Sequence, residues 1–336
     1  MRAVEVVSPG EIAVVERARP APGPGEALLR VRYAGICGSD LQTVAGTQPF
    51  ATYPRVPGHE FSAEVVDVNG HAPHLRPGLL VVGNPYFNCG ACYPCRRGRV
   101  NCCEQNETMG VHRDGAFQEY IVMPVERLHP ATGVDPQIAA MVEPFSIGWH
   151  AMKRARVVEG HRVLVIGAGA IGMLTMVSAQ AMGADVWIAD VLPERLEVAA
   201  AMGARGTYDL RRTDVGKAVT AATGGDGFDV VGEATGLPVS LLNAIEAAAF
   251  GGVIALIGNG TRDVTLNQSV LIKKELDVVG SRNSLGAFGP LLELLRRRTV
   301  DIAPVRTSVR RFTEVVDAME GLREHPARNI KVLIDF

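Results

Sequence analysis

Long apolar runs are what this 336-residue chain lacks. The greasiest region, 163–189, is cut by glycine-rich turns and by Asp185 into pieces shorter than the roughly 20 residues a membrane span needs. The opening MRAVEVVSPGEIAVVERARP holds no apolar core of the length a secretory signal requires. A cytoplasmic protein with no membrane partner is therefore expected. Charge is not in excess either: 34 Lys and Arg against 36 Asp and Glu leave a net charge of −2, without a basic block. That argues against a nucleic-acid partner held through its phosphates. Low-complexity tracts, internal repeats and long linkers are also missing. What remains is 47% hydrophobic and 21% charged, a folded chain long enough for two domains.

Cysteine is scarce but placed with purpose. Six occur, at 37, 89, 92, 95, 102 and 103, and their tight spacing favours metal binding over disulfides. Cys89, Cys92 and Cys95 are two residues apart each, and Cys103 follows. Four thiolates from one loop can close around a zinc with no open position, a structural site. An iron–sulfur centre is the other reading of such a loop, and Cys102 is the alternative fourth ligand. A second set is scattered: Cys37, His59, Glu60 and Glu143. Thiolate, imidazole and carboxylate together suit a catalytic zinc, which leaves a position for water or substrate. By itself Glu143, followed by Pro144, reads as a solvated carboxylate at the end of a helix over 136–142.

The first 85 residues suggest short strands such as 27–33 and 61–68, with turns at 22–25 and 76–78, and a further strand over 115–122. This is a β-rich domain. From 161 to 282 apolar strands alternate with helical patterns, an α/β arrangement with a doubly wound parallel sheet. In it Gly167-Ala168-Gly169-Ala170-Ile171-Gly172 follows one strand and opens a helix, and the next strand ends at Asp190. The glycines Gly167, Gly169 and Gly172 allow a tight turn, close approach to a pyrophosphate and close helix–strand packing. Asp190 suits the two ribose hydroxyls and would repel a 2′-phosphate, so NAD is expected rather than NADP. Ligands bind at the carboxyl ends of such strands, which puts Gly258, Asn259, Ser281 and Arg282 at the nicotinamide half.

The motifs G-I-C-G-S-D, G-H-E, the four-cysteine loop, E-P-F-S and G-A-G-A-I-G run in an order that resembles the zinc-dependent medium-chain dehydrogenases. The resemblance spans essentially the whole chain. It is closest to the polyol branch of sorbitol and threonine dehydrogenases, because Glu143 stands where many alcohol dehydrogenases have cysteine. Residues 48–56, 101–104, 110–112 and 280–283 resemble bacterial sugar-acid dehydrogenases, including L-galactonate and L-gulonate 5-dehydrogenases. The resemblance implies a GroES-like catalytic domain over 1–146, rejoined by 284–336, and a Rossmann domain over 147–283. It implies one catalytic and one structural Zn2+ per subunit, NAD as cofactor, and a homodimer or homotetramer built partly by pairing Rossmann sheets.

By the same resemblance Cys37 and His59 bind the catalytic zinc, and Glu60 or Glu143 supplies carboxylate directly or through water. Asp40 orients His59 by accepting from its ring. Ser39 relays the hydroxyl proton, and Arg195, with Ile171, belongs to the cofactor set. Relatives carry histidine where this chain has Gln42, which cannot serve as a base, so the proton leaves by water or a carboxylate such as Glu60. The substrate expected is a sugar acid or polyol; threonine-type amino-alcohol oxidation, or a non-catalytic protein that senses NAD or a sugar acid, are the alternative readings. Arg55 and Arg282 are the candidate cations for its carboxylate. His112 and Asn283 are candidates for its hydroxyls, and Phe117 is either a wall of the pocket or core.

Overall fold

The computed structural model describes residues 1–336 and divides them into two compact units. The first comprises Met1–Glu143, Phe288–Arg298 and Arg306–Phe336. Its sheet runs in the order Arg306–Arg311, Lys331–Asp335, Glu26–Gly35, Glu60–Asn69, Leu80–Gly83, Leu128–Pro130, and Tyr120–Pro124 also pairs with Glu26–Gly35. The two long central strands are antiparallel, and bulges at 28–29 and 31–33 bend Glu26–Gly35. Leu29, Phe61, Phe117, Met123 and Ile334 are buried between these strands and their covering segments.

The expected strand over 115–122 begins only at Tyr120. Upstream of it the N–H groups of Gly115, Ala116 and Phe117 donate instead to the carbonyls of Val56, Gly58 and Pro57. That crossing presses one backbone against another immediately before His59. The helix expected to end near 142 is also different. A single turn, Pro136–Ala139, is capped by Asp135, and a new 13-residue helix starts at Val142. Glu143 therefore stands in a first turn. Pro144 fits there because the missing N–H would have had no helical partner.

The second unit comprises Pro144–Ala287 and Thr299–Val305. Residues 284–287 and 299–305, expected with the first domain, pack here. The sheet is parallel throughout, in the order Gly206–Asp209, Asp185–Asp190, Arg162–Ile166, Phe228–Glu233, Ala248–Leu256, Asp277–Gly280. Numbered along the chain this is 3-2-1-4-5-6, the Rossmann order, so the expected α/β class holds. Helix Ala170–Ala181 is apolar and buried through 172–179, as a crossover helix packed flat on a sheet must be. No helix is long and apolar enough to cross a membrane.

Candidate active site

Cys37 lies at the N-terminus of the short helix Gly38–Val44, where the chain leaves the strand Glu26–Gly35. His59 and Glu60 open the neighbouring strand. Antiparallel pairing sets Gly35 opposite Glu60, which brings the two segments together. One ligand atom each from Cys37, His59 and Glu60 falls within a 4.8 Å set. His59 and Glu60 are buried. His59 Nδ1 is buried without a hydrogen-bond partner.

Asp40 does not act as expected. Its Oδ1 is 3.8 Å from His59 Nδ1, too far for a hydrogen bond. The carboxylate instead accepts from Cys37 N at 2.8 Å and from Gly58 N at 3.0 Å. It ties together the backbones on which Cys37 and His59 are mounted, at full burial.

Two further side chains engage the carboxylates, Lys331 and Tyr86. Lys331 Nζ donates to both oxygens of Glu60 at 2.7 Å and to Ile36 O at 3.0 Å, using all three of its protons in a buried position. Tyr86 donates its hydroxyl to Glu143 Oε1 in a short hydrogen bond. Neither contact has a local sequence signal; strand pairing makes the first and loop packing the second. The neighbouring Phe87 ring carries the guanidinium groups of Arg113, at 4.0 Å, and Arg127, at 4.6 Å.

Negative charge is crowded here. Burial pushes the Glu143 carboxyl up to about 7, and Glu60 adds to the rise. Burial alone would depress His59, but the charges of Cys37, Asp40 and Glu143 outweigh it and hold the imidazole well above its ordinary value. Burial also opposes the charge on Lys331, and Glu60 and Cys37 overcome that. Thiolate, imidazole and carboxylate converging on one point fit a Zn2+ ion. Glu143 lies outside the tightest set, yet its charge reaches His59.

The four-cysteine loop fits a second ion. Cys89, Cys92, Cys95 and Cys103 place their sulfurs within 4.8 Å of one another. Cys92 Sγ is 3.8 Å from Cys103 Sγ, which is about the edge of a tetrahedron with Zn–S bonds of about 2.3 Å. The N–H groups of Cys89 and Cys92 donate to the sulfurs of Cys103 and Cys89 at 3.3 Å. Cys102 points elsewhere, toward Arg99 at 3.9 Å, so Cys103 completes the quartet.

In the second unit, Gly167 has φ +103°, and a Cβ on Gly172 would lie 1.7 Å from Gly167 O. Helix and turn could not approach so closely with any side chain there. Gly169 caps the helix. Asp190 accepts from Ala168 N at 2.5 Å and from Val191 and Leu192 N at 2.7 and 2.9 Å, so the acid is fixed beside the glycine turn. Arg195 Nη1 is 3.5 Å from where a Gly169 Cβ would stand. Ile171 is half-buried on the first turn of the helix, Gly258 donates to Glu233 O at 2.9 Å, and Asn259 is exposed beyond it. Ser281 donates its N–H to Leu256 O, while its hydroxyl is buried without a partner. Arg282 is exposed at that strand end, and Asn283 has φ +49°.

The remaining expected residues differ in their surroundings. Ser39 is half-buried beside Cys37, with its carbonyl taken by Thr43. Arg55 meets Asp114 at 3.3 Å and Thr52 Oγ1 at 2.5 Å, so its charge is already balanced. His112 Nδ1 accepts from Thr108 N at 3.0 Å, which leaves Nε2 as the proton-bearing nitrogen, and the ring stacks on Phe50 at 5.7 Å. Phe117 is fully buried against Gly58, a core side chain. Gln42 is exposed.

Two family models match: the alcohol dehydrogenase GroES-like domain over residues 23–133 and the zinc-binding dehydrogenase over 170–297. L-galactonate-5-dehydrogenase of Escherichia coli K12 is 39% identical over 276 residues, 82% of this chain and 81% of that protein. Sorbitol dehydrogenase of Halalkalibacterium halodurans is 33% identical, covering 97% of this chain and 96% of its own. An alcohol dehydrogenase of Escherichia coli CFT073, solved with NADH, superposes with a TM-score of 0.94 at 31% identity, covering 100% of this chain and 99% of that one. With two metal-fitting clusters and a Rossmann unit already in place, the chain belongs to the zinc-dependent medium-chain alcohol and polyol dehydrogenases, enzymes that oxidise CH–OH groups.

Proposed function

We propose that this enzyme oxidises a secondary hydroxyl of a sugar acid, an aldonate such as L-galactonate or L-gulonate, or of a related polyol, with NAD+ as acceptor. The observation that carries the reading is the convergence of Cys37, His59 and Glu60 within 4.8 Å. The identity with L-galactonate-5-dehydrogenase supports the substrate class. Cys37 and His59, with Glu60 or Glu143, would hold the catalytic zinc, and Cys89, Cys92, Cys95 and Cys103 the structural one. When bound, the catalytic zinc supplies Lewis-acid polarisation of the substrate oxygen. When bound, NAD would accept the hydride of the carbinol carbon, and Ser39 would pass the hydroxyl proton to solvent. Gln42 cannot extend that route, so water takes the proton beyond it. Asp190 selects NAD by refusing a 2′-phosphate.

The test is NADH production by zinc-replete enzyme over stereoisomeric aldonates, neutral polyols and L-threonine. Turnover of aldonates ahead of the others supports the reading; turnover of L-threonine alone replaces it with amino-alcohol oxidation. Arg282 is the cation to examine for the carboxylate. Arg282→Ala should raise the aldonate KM by roughly tenfold, the scale of one charge-assisted contact, and leave neutral polyols unchanged. Equal losses on both would remove that role.

The crowded charge gives a pH prediction. A metal takes the deprotonated carboxylate, and Glu143 holds its proton up to about 7. Zinc affinity should therefore weaken as pH falls through 7, by roughly tenfold per unit for that one proton. Chelator competition on either side of pH 7 measures it, and Glu143→Gln should flatten the slope. An unchanged slope in the variant would take Glu143 out of the metal's surroundings.

We also infer self-association. The strand Asp277–Gly280 is the outer strand of its sheet, with Gly280 O reached by Arg154 Nε at 3.4 Å. Val278 and nearby Ile272 are 41% and 75% exposed. Val278→Lys should shift the enzyme toward monomer in light scattering; an unchanged mass would move the interface elsewhere. Six free thiols, four of them in one metal-fitting loop, suit the reducing cytoplasm.

A further inference from the structure

Glu233 is a carboxylate buried to 2% exposure at the C-terminal end of a central strand. Its Oε1 accepts from Thr235 N at 2.7 Å, from the Thr235 hydroxyl at 2.5 Å and from Gly236 N at 3.0 Å, and its Oε2 accepts from Gly236 N at 3.1 Å. Its backbone carbonyl accepts from Ile257 and Gly258 N at 2.8 and 2.9 Å. Every one of these donors lies in the turns that follow the strands. In register, Glu233 stands beside Ile166 on one side and Leu256 on the other, so it sits between the glycine turn and the Gly258 turn.

The pinned turn touches both. A Cβ on Gly167 would stand 2.8 Å from Thr235 Cγ2, so the threonine methyl rests directly on the first glycine of the G-x-G-x-x-G segment. A Cβ on Gly258 would stand 2.0 Å from Gly236 N, and one on Gly260 2.0 Å from Gly236 O. Three glycine backbones meet there with no room for a side chain. A carboxylate is the group this arrangement requires. It accepts from two adjacent N–H groups and a hydroxyl at once, and a neutral amide would turn a donor toward donors.

We infer that Glu233 is a positioning residue of the dinucleotide seat: by pinning Thr235 and Gly236 it sets the spacing between the Gly167 turn and the Gly258–Gly260 turn. It touches neither cofactor nor substrate in this role. The inference rests on the reading of the second unit as the NAD seat. The pinned turn gives the seat its shape before cofactor arrives, so that binding need not order it.

The experiment is NADH binding to zinc-replete enzyme, followed by fluorescence, for wild type, Glu233→Gln and Thr235→Val. Thr235→Val keeps the methyl on Gly167 and removes only the hydroxyl bond. Glu233→Gln is expected to weaken NADH about tenfold or more and Thr235→Val a few-fold, the scale of lost charge-assisted and single hydrogen bonds. KM for NAD should rise in parallel, while kcat at saturating NAD and the zinc content stay near wild type. NADH affinity within twofold of wild type in both variants would overturn the inference, as would a loss of kcat with no change in affinity. If Glu233→Gln does not fold, Thr235→Val decides. Should wild type itself fail to bind NADH, the reading of the seat falls rather than the role of Glu233.

Discussion

Replacing Lys331 by methionine should cost the metal-free enzyme about 3–5 kcal/mol of stability, the penalty for leaving one partner of a buried ion pair uncompensated. Lys331 and Glu60 are both almost wholly buried, and their contact is two-pronged. Methionine keeps the length of the side chain and removes the charge. Glu60 then faces Cys37 and Glu143 without its ion-pair partner, and Ile36 O loses its donor. The double variant Lys331→Met, Glu60→Gln should recover at least half of the loss, because no buried charge is then left alone. Urea unfolding of the metal-free proteins measures the cycle. Zinc, attracted to the same carboxylate, offsets part of the cost, so the loaded enzyme should show a smaller difference. Turnover should fall on the order of a hundredfold, since Glu60 is no longer held in place. A stability loss below about 1 kcal/mol would mean the pair behaves as an exposed one.

The second large effect is expected from one methyl group. A Cβ on Gly115 would stand 2.2 Å from Gly58 O and 2.4 Å from Pro57 O. These are backbone atoms, which cannot swing aside as a side chain end would. Gly110 closes the other flank, where a Cβ would be 2.6 Å from Gly58 N. Gly115→Ala must therefore push the 56–58 segment, and His59 goes with it. A shift on the order of 1 Å at such a site costs roughly a hundredfold in rate. The variant should also hold less zinc, falling toward the single ion of the cysteine loop, as read by elemental analysis beside kcat. Gly289→Ala is the control. It lies on the helix Phe288–Arg296 with nothing within 4 Å of the added methyl, so activity should not change and helix propensity should add about 0.5–1 kcal/mol. Wild-type activity and zinc in Gly115→Ala would show that the crossing yields without moving His59.

What could be read from the residues in order was whatever a motif concentrates. Cys89 to Cys103 lie within one loop, and the glycine turn from 167 to 172 lies between a strand and a helix, so spacing alone pointed to their chemistry. The cluster of Cys37, His59 and Glu60 needs the resemblance, since a helix and a loop separate Cys37 from the other two. Lys331 lies 271 positions from Glu60 and Tyr86 57 from Glu143, and no periodicity links such pairs. Asp40 was noticed for the right neighbourhood but given the wrong partner. Its carboxylate serves backbone N–H groups, which every residue carries and no sequence displays. The edge strands Gly206–Asp209 and Arg306–Arg311 are mostly polar and so carry no apolar strand signal. The Gly115–Phe117 segment reads as a strand from its apolar residues, yet it bends at Ala116 and Phe117 where it crosses the 56–58 segment.

The late cation of the Glu60 pair has a bearing on biosynthesis. Glu60 emerges from the ribosome long before Lys331, and the whole second unit is made in the interval. Until the strand Lys331–Asp335 inserts beside Glu26–Gly35, the first unit has an unfinished sheet and an acid without its ion-pair partner. A nascent chain can thus complete its Rossmann unit independently, but the half that carries the zinc cluster must wait. Stalled or prematurely terminated products would be left with one sound domain and one incomplete one, open to proteolytic clearance. Ribosome-bound chains of increasing length, probed by protease, should show the second unit becoming resistant before the first.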